Sequence, residues 1–293
     1  MFYDDEFLSR FVLKGGNALN IVYNVNNRAS MDIDVSMEND FTAEELVDIE
    51  SRLLASFNRV FNGRGYHVFD FKLQAKPKNI ESEYEKFWGG YKVELKIIEK
   101  EKYEQLEHDT ENMRRHAAVV GTGQEKKLTV DISKYEYVAP KQLATLDDSN
   151  EEYSVYVYTP VMVVYEKLRA ICQQTEEYGE IVPTHRRPRA RDFFDIYSIV
   201  EKWRSPVNVY ALDSIHIIRE IFAAKRVPLS FLLSIESYRE FHRDNFNAVR
   251  DTVSVQVESY DYYFDYVVEM AERLWALINT PDLQIAEIAA TAE

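Results

Sequence analysis

The chain holds one cysteine, Cys172, among its 293 residues, which excludes an internal disulfide and any cysteine-based zinc cluster. That scarcity suits a reducing cytoplasm, the expected location. No apolar run approaches the ~18 residues that a membrane span needs. The opening MFYDDEFLSR also lacks the basic-then-apolar order of a signal peptide. No membrane association is expected. Histidine is sparse too: the six are scattered without a ligand-spaced pair, so no histidine metal centre is expected. Positive charge is short, and a net charge of −15 argues against broad, sequence-blind binding of nucleic acid. A local basic patch remains open in HRRPRAR (185–191) and, less strongly, in MRRHA (113–117). Solvated loop and helix ends would account for both equally well.

What is present is a core. Apolar residues make up 46% of the chain and aromatics 13%, enough for one large domain or two modest ones, and too much for a disordered chain. Residues 8–14 (LSRFVLK) read as a short strand running into a Gly-Gly turn. A helix then fits Asn17–Val25, with Ala18, Ile21, Val22 and Val25 on one face. MDIDVS alternates strictly, placing Met31, Ile33 and Val35 on one side and Asp32, Asp34 and Ser36 on the other. A strong helix follows, opened by the capping box Thr42-x-x-Glu45, with Leu46, Ile49, Leu53, Phe57 and Val60 on its core face.

Strands are expected at 66–74, 91–98 and 127–134, the last two separated by a polar helix near 101–117. In the second of these Tyr91, Val93, Leu95 and Ile97 face inward; in the third Leu128, Val130 and Ile132 do, leaving Asp131 outside. ATLDDSNEE (144–152) is polar and rich in turn formers, and reads as a domain boundary. Beyond it the pattern is helical. Thr159-Pro160 starts a helix burying Val161, Val164, Tyr165, Leu168 and Cys172. RARDFFDIYSIVEKW buries Phe193, Ile196, Tyr197 and Val200, and further helices cover about 209–225, 229–250 and 254–278. The expectation is an α+β core over 1–145, a mixed sheet with flanking helices, followed by a helical domain over 153–293.

The chemistry concentrates in LKGGNALNIVYNVNNRASMDIDV, residues 13–35. Gly15-Gly16 between a strand and a helix bares backbone N–H groups toward one point, a favourable seat for phosphate, with Lys14 adjoining. An ordinary tight turn would look the same. Asp32 and Asp34 leave one face of a strand about 7 Å apart, a spacing of hard oxygen ligands that suits Mg²⁺ together with substrate phosphates. Asp131, on the polar side of another alternating strand, adds a third carboxylate. Glu94 competes for that place, but it alternates with Lys92 and Lys96 as a solvated face would. Three carboxylates beside a glycine turn are the kit for two-metal phosphoryl or nucleotidyl transfer.

KGGNAL, RASMDID, LTVDIS, YEKLRA and RARDFFDI stand in this order along residues 11–200. The set resembles the AbiEii/AbiGii toxin family, nucleotidyltransferase-like toxins of bacterial abortive-infection and toxin–antitoxin systems. The resemblance implies a polymerase-β-like nucleotidyltransferase core followed by a helical region. It implies that Gly15 and Gly16 hold the nucleotide phosphates and that Ser30 and Asp32 form the family's S-x-D motif. Asp34 is implied as the second metal-binding carboxylate, and Asp131 fits the third carboxylate of the wider superfamily. Lys167, in YEKLRA, corresponds to a lysine that contacts the triphosphate, and Asp192, in RARDFFDI, to a required acidic residue; the helical domain would bring both to the cleft. Arg189 and Arg191 are the expected acceptor contacts. The glycine motif ends in Asn17 where many members have threonine.

The expected activity is a Mg²⁺-dependent transfer of NMP from an NTP, through two ions, to an acceptor, with tRNA at its 3′ end foremost. A cognate antitoxin encoded nearby is the expected partner. A protein or small-molecule acceptor is the alternative, which the acidity favours, as is an interaction protein whose site has decayed.

Overall fold

The computed structural model describes residues 1–25, 32–120, 124–148, 151–203, 205–250, 253 and 257–280. Contacts divide the chain into a first unit, Met1–Val22 with Ala29–Tyr158, and a second, Tyr23–Arg28 with Thr159–Glu293.

The first unit opens on helix α1 (Asp5–Arg10), where a strand was expected to begin at residue 8. The Asp4 carboxylate accepts from the backbone N–H of Glu6 and Phe7, capping the helix, and leaves strand β1 only Val12–Lys14. A single α-turn, α2 (Gly15–Asn17), runs into a π-helical stretch, Ala18–Val22. Its buried side is Asn17, Ala18 and Leu19, and Ile21, expected inward, is 51% exposed because the π-turn breaks the 3.6-residue phase. Strand β2 is Ile33–Ser36 and helix α3 is Ala43–Gly63. The Thr42–Glu45 capping box forms as expected, and Ile49, Leu53 and Phe57 are buried, while Leu46 is exposed. Strands β3 (Tyr66–Lys76) and β4 (Gly90–Glu99) follow. The polar helix expected near 101–117 is two helices, α4 (Lys100–Leu106) and α5 (Thr110–His116), the second capped by Asp109. Strand β5 is Leu128–Ser133.

The expected boundary at 144–152 is instead a hairpin, β6 (Lys141–Asp148) and β7 (Glu151–Tyr158). The polar ends of its two strands imitate a linker in the sequence, but Val155 and Val157 are fully buried. The strands make one seven-stranded mixed sheet in the order β3-β4-β5-β2-β1-β7-β6. Strand β2 runs antiparallel to β1 and parallel to β5. Val35, Val93, Leu95, Val130 and Ile132 are at most 2% exposed and form one face of the central strands. Each such side chain stabilises the fold by about 1.5–3 kcal/mol. A one-residue slip would exchange them for Asp34 and Asp131, so burial fixes the register that positions the carboxylates.

The second unit is helical. Its first helix, α6 (Pro160–Cys172), is capped by Thr159 and carries Pro160 in its first turn, as expected. It is buried on almost all sides, so Met162, Val163 and Ile171 join the expected Val164, Tyr165, Leu168 and Cys172, while Val161, also expected inward, is half-buried. After α7 (Tyr178–Ile181), helix α8 (Ala190–Tyr197) continues as a π-helical stretch, Ser198–Lys202. Then come α9 (Leu212–Ala223), a 3₁₀ segment (Leu229–Tyr238), α10 (Arg239–Arg243), α11 (Asn247–Arg250) and α12 (Tyr260–Ile278). Phe193 of α8 stacks on Phe264 of α12 with ring centroids 5.0 Å apart. No helix among the described residues is long and apolar enough to cross a membrane.

Candidate active site

Strand β1 sits between β2 and β7 with all three of its residues buried, so its end is a rigid place from which to turn. The turn is made by Gly15, whose φ of +66° lies in the left-handed region. Space demands glycine as well. A β-carbon there would stand 2.6 Å from Asp34 Oδ2, a clash, so the Asp34 carboxylate lies against the bare backbone of Gly15. Gly16 is half-buried in the same turn. Asn17 is buried and donates its amide N–H to the Asp32 carbonyl at 2.7 Å, tying the turn to the start of β2. Where threonine is usual in the resembling family, this asparagine acts as a tether.

Register then assembles a charged row across four strands. Lys14 of β1 is opposite Asp34 of β2, Asp34 is opposite Asp131 of β5, and Asp131 is opposite Lys92 of β4. Directly paired residues share a face, about 4.8 Å apart from strand to strand. The two central carboxylates repel, and basic groups flank them. Lys76 Nζ lies 2.8 Å from Asp131 Oδ1. Lys92 is held above the ordinary lysine range by its hydrogen bond to Glu94, with Asp131 and Asp32 adding to the field. Lys14 is buried with its ammonium 3.7 Å from the buried Glu136 carboxylate.

The expected three-carboxylate cluster does not form. Among the described residues no group of three or more His, Cys, Asp or Glu side chains could hold a metal ion. Asp131 turns to Lys76, and Asp32 precedes the strand that carries Asp34. The donor set that remains, Asp34 and Asp131 in adjacent positions, fits a hard divalent ion in the manner of Mg²⁺, with one or two carboxylates and the rest from substrate phosphates and water. Glu94 is drawn away: Lys92 at 3.0 Å and Lys127 at 3.1 Å bind it, and Lys92 leads in holding its carboxyl below the usual range. Ser30 lies outside the described residues.

The second unit holds its own charged cluster. Lys167 of α6 places Nζ 2.9 Å from Asp192 Oδ1 and 2.7 Å from Asp195 Oδ2, both on α8. Arg189 Nε lies 2.9 Å from Asp192 Oδ2, close enough for an ion pair but not aligned as a hydrogen bond. Burial alone would lower the Lys167 pKa, but Asp192 and then Asp195 outweigh it and hold the ammonium charged above the ordinary range. Burial likewise works against the Asp192 carboxylate, and Arg189 and Lys167 outweigh it, holding it ionised below the usual range.

The loop entering α8 is fastened from another helix. His242 Nδ1 accepts from Arg189 N–H at 3.1 Å. Asn245 accepts from Ala190 N–H at 3.0 Å and donates to the Pro188 carbonyl at 3.0 Å. His242 is 1% exposed, and burial pushes its pKa down to about 4. The basic patch is largely spent internally: Arg186 binds the Gln174 carbonyl at 2.6 Å and Glu176 at 2.8 Å, and Arg189 is paired as above. Arg191 is half-buried.

The sequence reading passed over Asp195, Lys76 and His242. Asp195 had a signal, since it falls three residues after Asp192 on the same helical face. Lys76 had none, being 55 residues from Asp131 and brought there only by strand pairing.

Across residues 2–269 the chain matches the family described as nucleotidyl transferase AbiEii toxin, type IV toxin–antitoxin system. It belongs to the AbiEii family. The α+β class with C-terminal helices, expected from the sequence, is the architecture of this AbiEii member. A solved structure of a candidate nucleotidyltransferase from H. pylori is 15% identical, with 92% of this chain and 88% of that one covered and a TM-score of 0.42. No curated protein matches.

Proposed function

We propose that this AbiEii protein transfers a nucleoside monophosphate from an NTP to an acceptor hydroxyl, foremost on tRNA at its 3′ end, as a toxin. The observation that carries the reading is the Asp34–Asp131 row beside Gly15, in a chain matching the nucleotidyltransferase family over residues 2–269. In the reaction the acceptor oxygen forms a bond to the α-phosphorus, the bond from that phosphorus to the bridging oxygen breaks, and pyrophosphate leaves.

Asp34, with Asp32 or Asp131, would hold Mg²⁺, which when bound supplies charge neutralisation for the phosphates and a lowered barrier at the attacking oxygen. Gly15 and Gly16 bring backbone close to the phosphates, as the family resemblance implies, and the same resemblance assigns Ser30 to the nucleotide. Asp131 accepts the hydroxyl proton; its partner Lys76 balances the charge in the absence of substrate. The family resemblance assigns Lys167 to the triphosphate; within its own unit Asp192 and Asp195 keep that ammonium charged and oriented.

The experiment is incubation with α-labelled NTPs, Mg²⁺ and total bacterial tRNA, beside Asp34→Ala and beside EDTA. Label should enter RNA only with the unaltered chain and the metal. No transfer, or equal transfer by Asp34→Ala, would overturn the reading. A second reading keeps the reaction and changes the acceptor to a protein or small molecule, favoured by the net charge of −15. Label then enters protein or a small product in a whole lysate and not tRNA. The type IV family also implies an antitoxin, and co-expression of the neighbouring reading frame should relieve growth arrest.

A further inference from the structure

The face that carries Asp131 continues along the outer strands as a basic strip. Lys92, Glu94 and Lys96 alternate on β4 toward that face, and register sets Lys72 of β3 opposite Glu94. Lys127, just before β5, reaches Glu94, and Arg114 of α5 reaches Asp70 at 2.7 and 2.9 Å. At its far end the face turns apolar: Ile98 is fully buried under Met113 of α5, with Phe69 and Ala117. The strip is therefore walled at one end by α5 and bordered at the other by Asp131. Between them is a cleft of about 210 Å³ lined by Asp70, Lys72, Glu94, Lys96, Arg114 and Lys127, with Leu95 in its floor.

Two features set this cleft apart from an ordinary salt-bridged surface. First, its carboxylates are shared. Glu94 sits between Lys92 and Lys127, and Asp70 between Lys96 and Arg114, so each anion orders two cations and neutralises one. The Arg114 hydrogen bond leads in drawing the Asp70 carboxyl down to about 2, so it stays ionised and keeps its cations in place. Second, Lys72, Lys76, Lys92, Lys96, Arg114 and Lys127 outnumber the carboxylates among them even when Glu111, at 2.7 Å from Arg114, is counted. A local positive excess on a chain of net charge −15 is a concentrated feature where diffuse basicity is missing.

From Lys92 to Lys96 the strand rises about 13 Å, room for about two to three phosphates of one strand. We propose that this strip binds the ribose–phosphate chain of an RNA acceptor, with the end of that chain running toward Asp131. The identity of the delivered group rests on the nucleotidyltransferase reading; the polyanion contact does not.

The test is fluorescence anisotropy of a labelled single-stranded RNA of about 12 nucleotides on the full chain, across a salt series from about 50 mM. Two to three phosphate contacts predict a log–log salt slope of about −1.4 to −2. Lys72→Gln/Lys96→Gln/Lys127→Gln should weaken binding about tenfold or more at low salt and bring the slope near zero. Glu94 then keeps Lys92 and Asp70 keeps Arg114, so no carboxylate is stranded. Lys72→Glu alone, at an exposed position, should weaken binding several-fold and guards against misfolding of the triple variant. Mg²⁺-NTP binding, measured on the same samples, should be unchanged.

RNA affinity and slope untouched by these substitutions, or no RNA binding by the unaltered chain, would overturn the proposal. Strip-dependent RNA binding without NTP binding or transfer would instead sink the nucleotidyltransferase reading and leave this one standing.

Discussion

Asp34 Oδ2 occupies the space beside Gly15 that a β-carbon would need, 2.6 Å from where that carbon would be. Asp34 lies on β2 and Gly15 in the turn that follows β1, its antiparallel neighbour, so Gly15 tolerates no side chain while Asp34 is in place. Gly15→Ala therefore acts twice: it strains a left-handed backbone, at about 1–2 kcal/mol, and it displaces a carboxylate. A displacement near 1 Å lowers turnover about a hundredfold. Thermal unfolding should register the first effect and labelled-NTP transfer the second, with the loss of transfer far exceeding what the lost stability accounts for.

Lys76 and Asp131 form a partly exposed pair, which contributes at most about 1 kcal/mol to stability. A cation bound at Asp131 competes with that lysine. Lys76→Met should leave the unfolding midpoint nearly unchanged and lower the Mg²⁺ concentration giving half-maximal transfer. An unchanged or raised Mg²⁺ requirement would show that Asp131 has no part in the metal site.

Lys167 is held between two buried carboxylates, so removing it strands charge in the interior. Lys167→Met should destabilise the protein by about 3–5 kcal/mol in urea unfolding. The pH dependence has a definite sign. Asp192 has a pKa lowered by folding, so its contribution is present above the ordinary value of 3.8 and is lost as pH falls through the lower folded value. Lys167 has a raised pKa, so its contribution is present below 10.5 and is lost as pH rises through the higher folded value. The Lys167 share of the alkaline loss should be absent in Lys167→Met, while the buried tyrosines Tyr165 and Tyr260, whose pKa values burial raises, keep theirs.

His242 is buried and neutral, with a pKa lowered from 6.5 to about 4. The unfolded chain takes up a proton first, so stability should fall by about 3 kcal/mol as pH drops from 6.5 toward 4. His242→Gln keeps an acceptor for the Arg189 N–H and cannot titrate. Urea unfolding at the two pH values should show that this variant has lost most of the acid sensitivity.

Much of this was legible in the chain. Strict alternation in MDIDVS, YKVELKII and KLTVDIS set which side chains face inward, and β2, β4 and β5 formed where that pattern placed them. The Thr42 and Thr159 caps were readable because a helix N-terminus is satisfied by residues within three positions of it. Local rules failed where a local signal had two meanings. Residues 144–152 look like a linker because a hairpin tip and a linker need the same polar turn formers. Residues 8–10 look like a strand, but the Asp4 cap tips them into a helix.

For the site, composition and periodicity determined that Asp34 and Asp131 would both leave polar faces of their strands, and that Asp192 would lie near Arg189, although Arg189 stands just before the helix and not on its face. Only tertiary structure decided that β2 and β5 would be neighbours, in parallel and in register, that Lys76 would answer Asp131, and that Lys167 would fall between Asp192 and Asp195. The reason is range. A side chain's facing is set by dihedrals and neighbours a few residues away, whereas the partner it meets is chosen by which faces of the whole chain can be buried together.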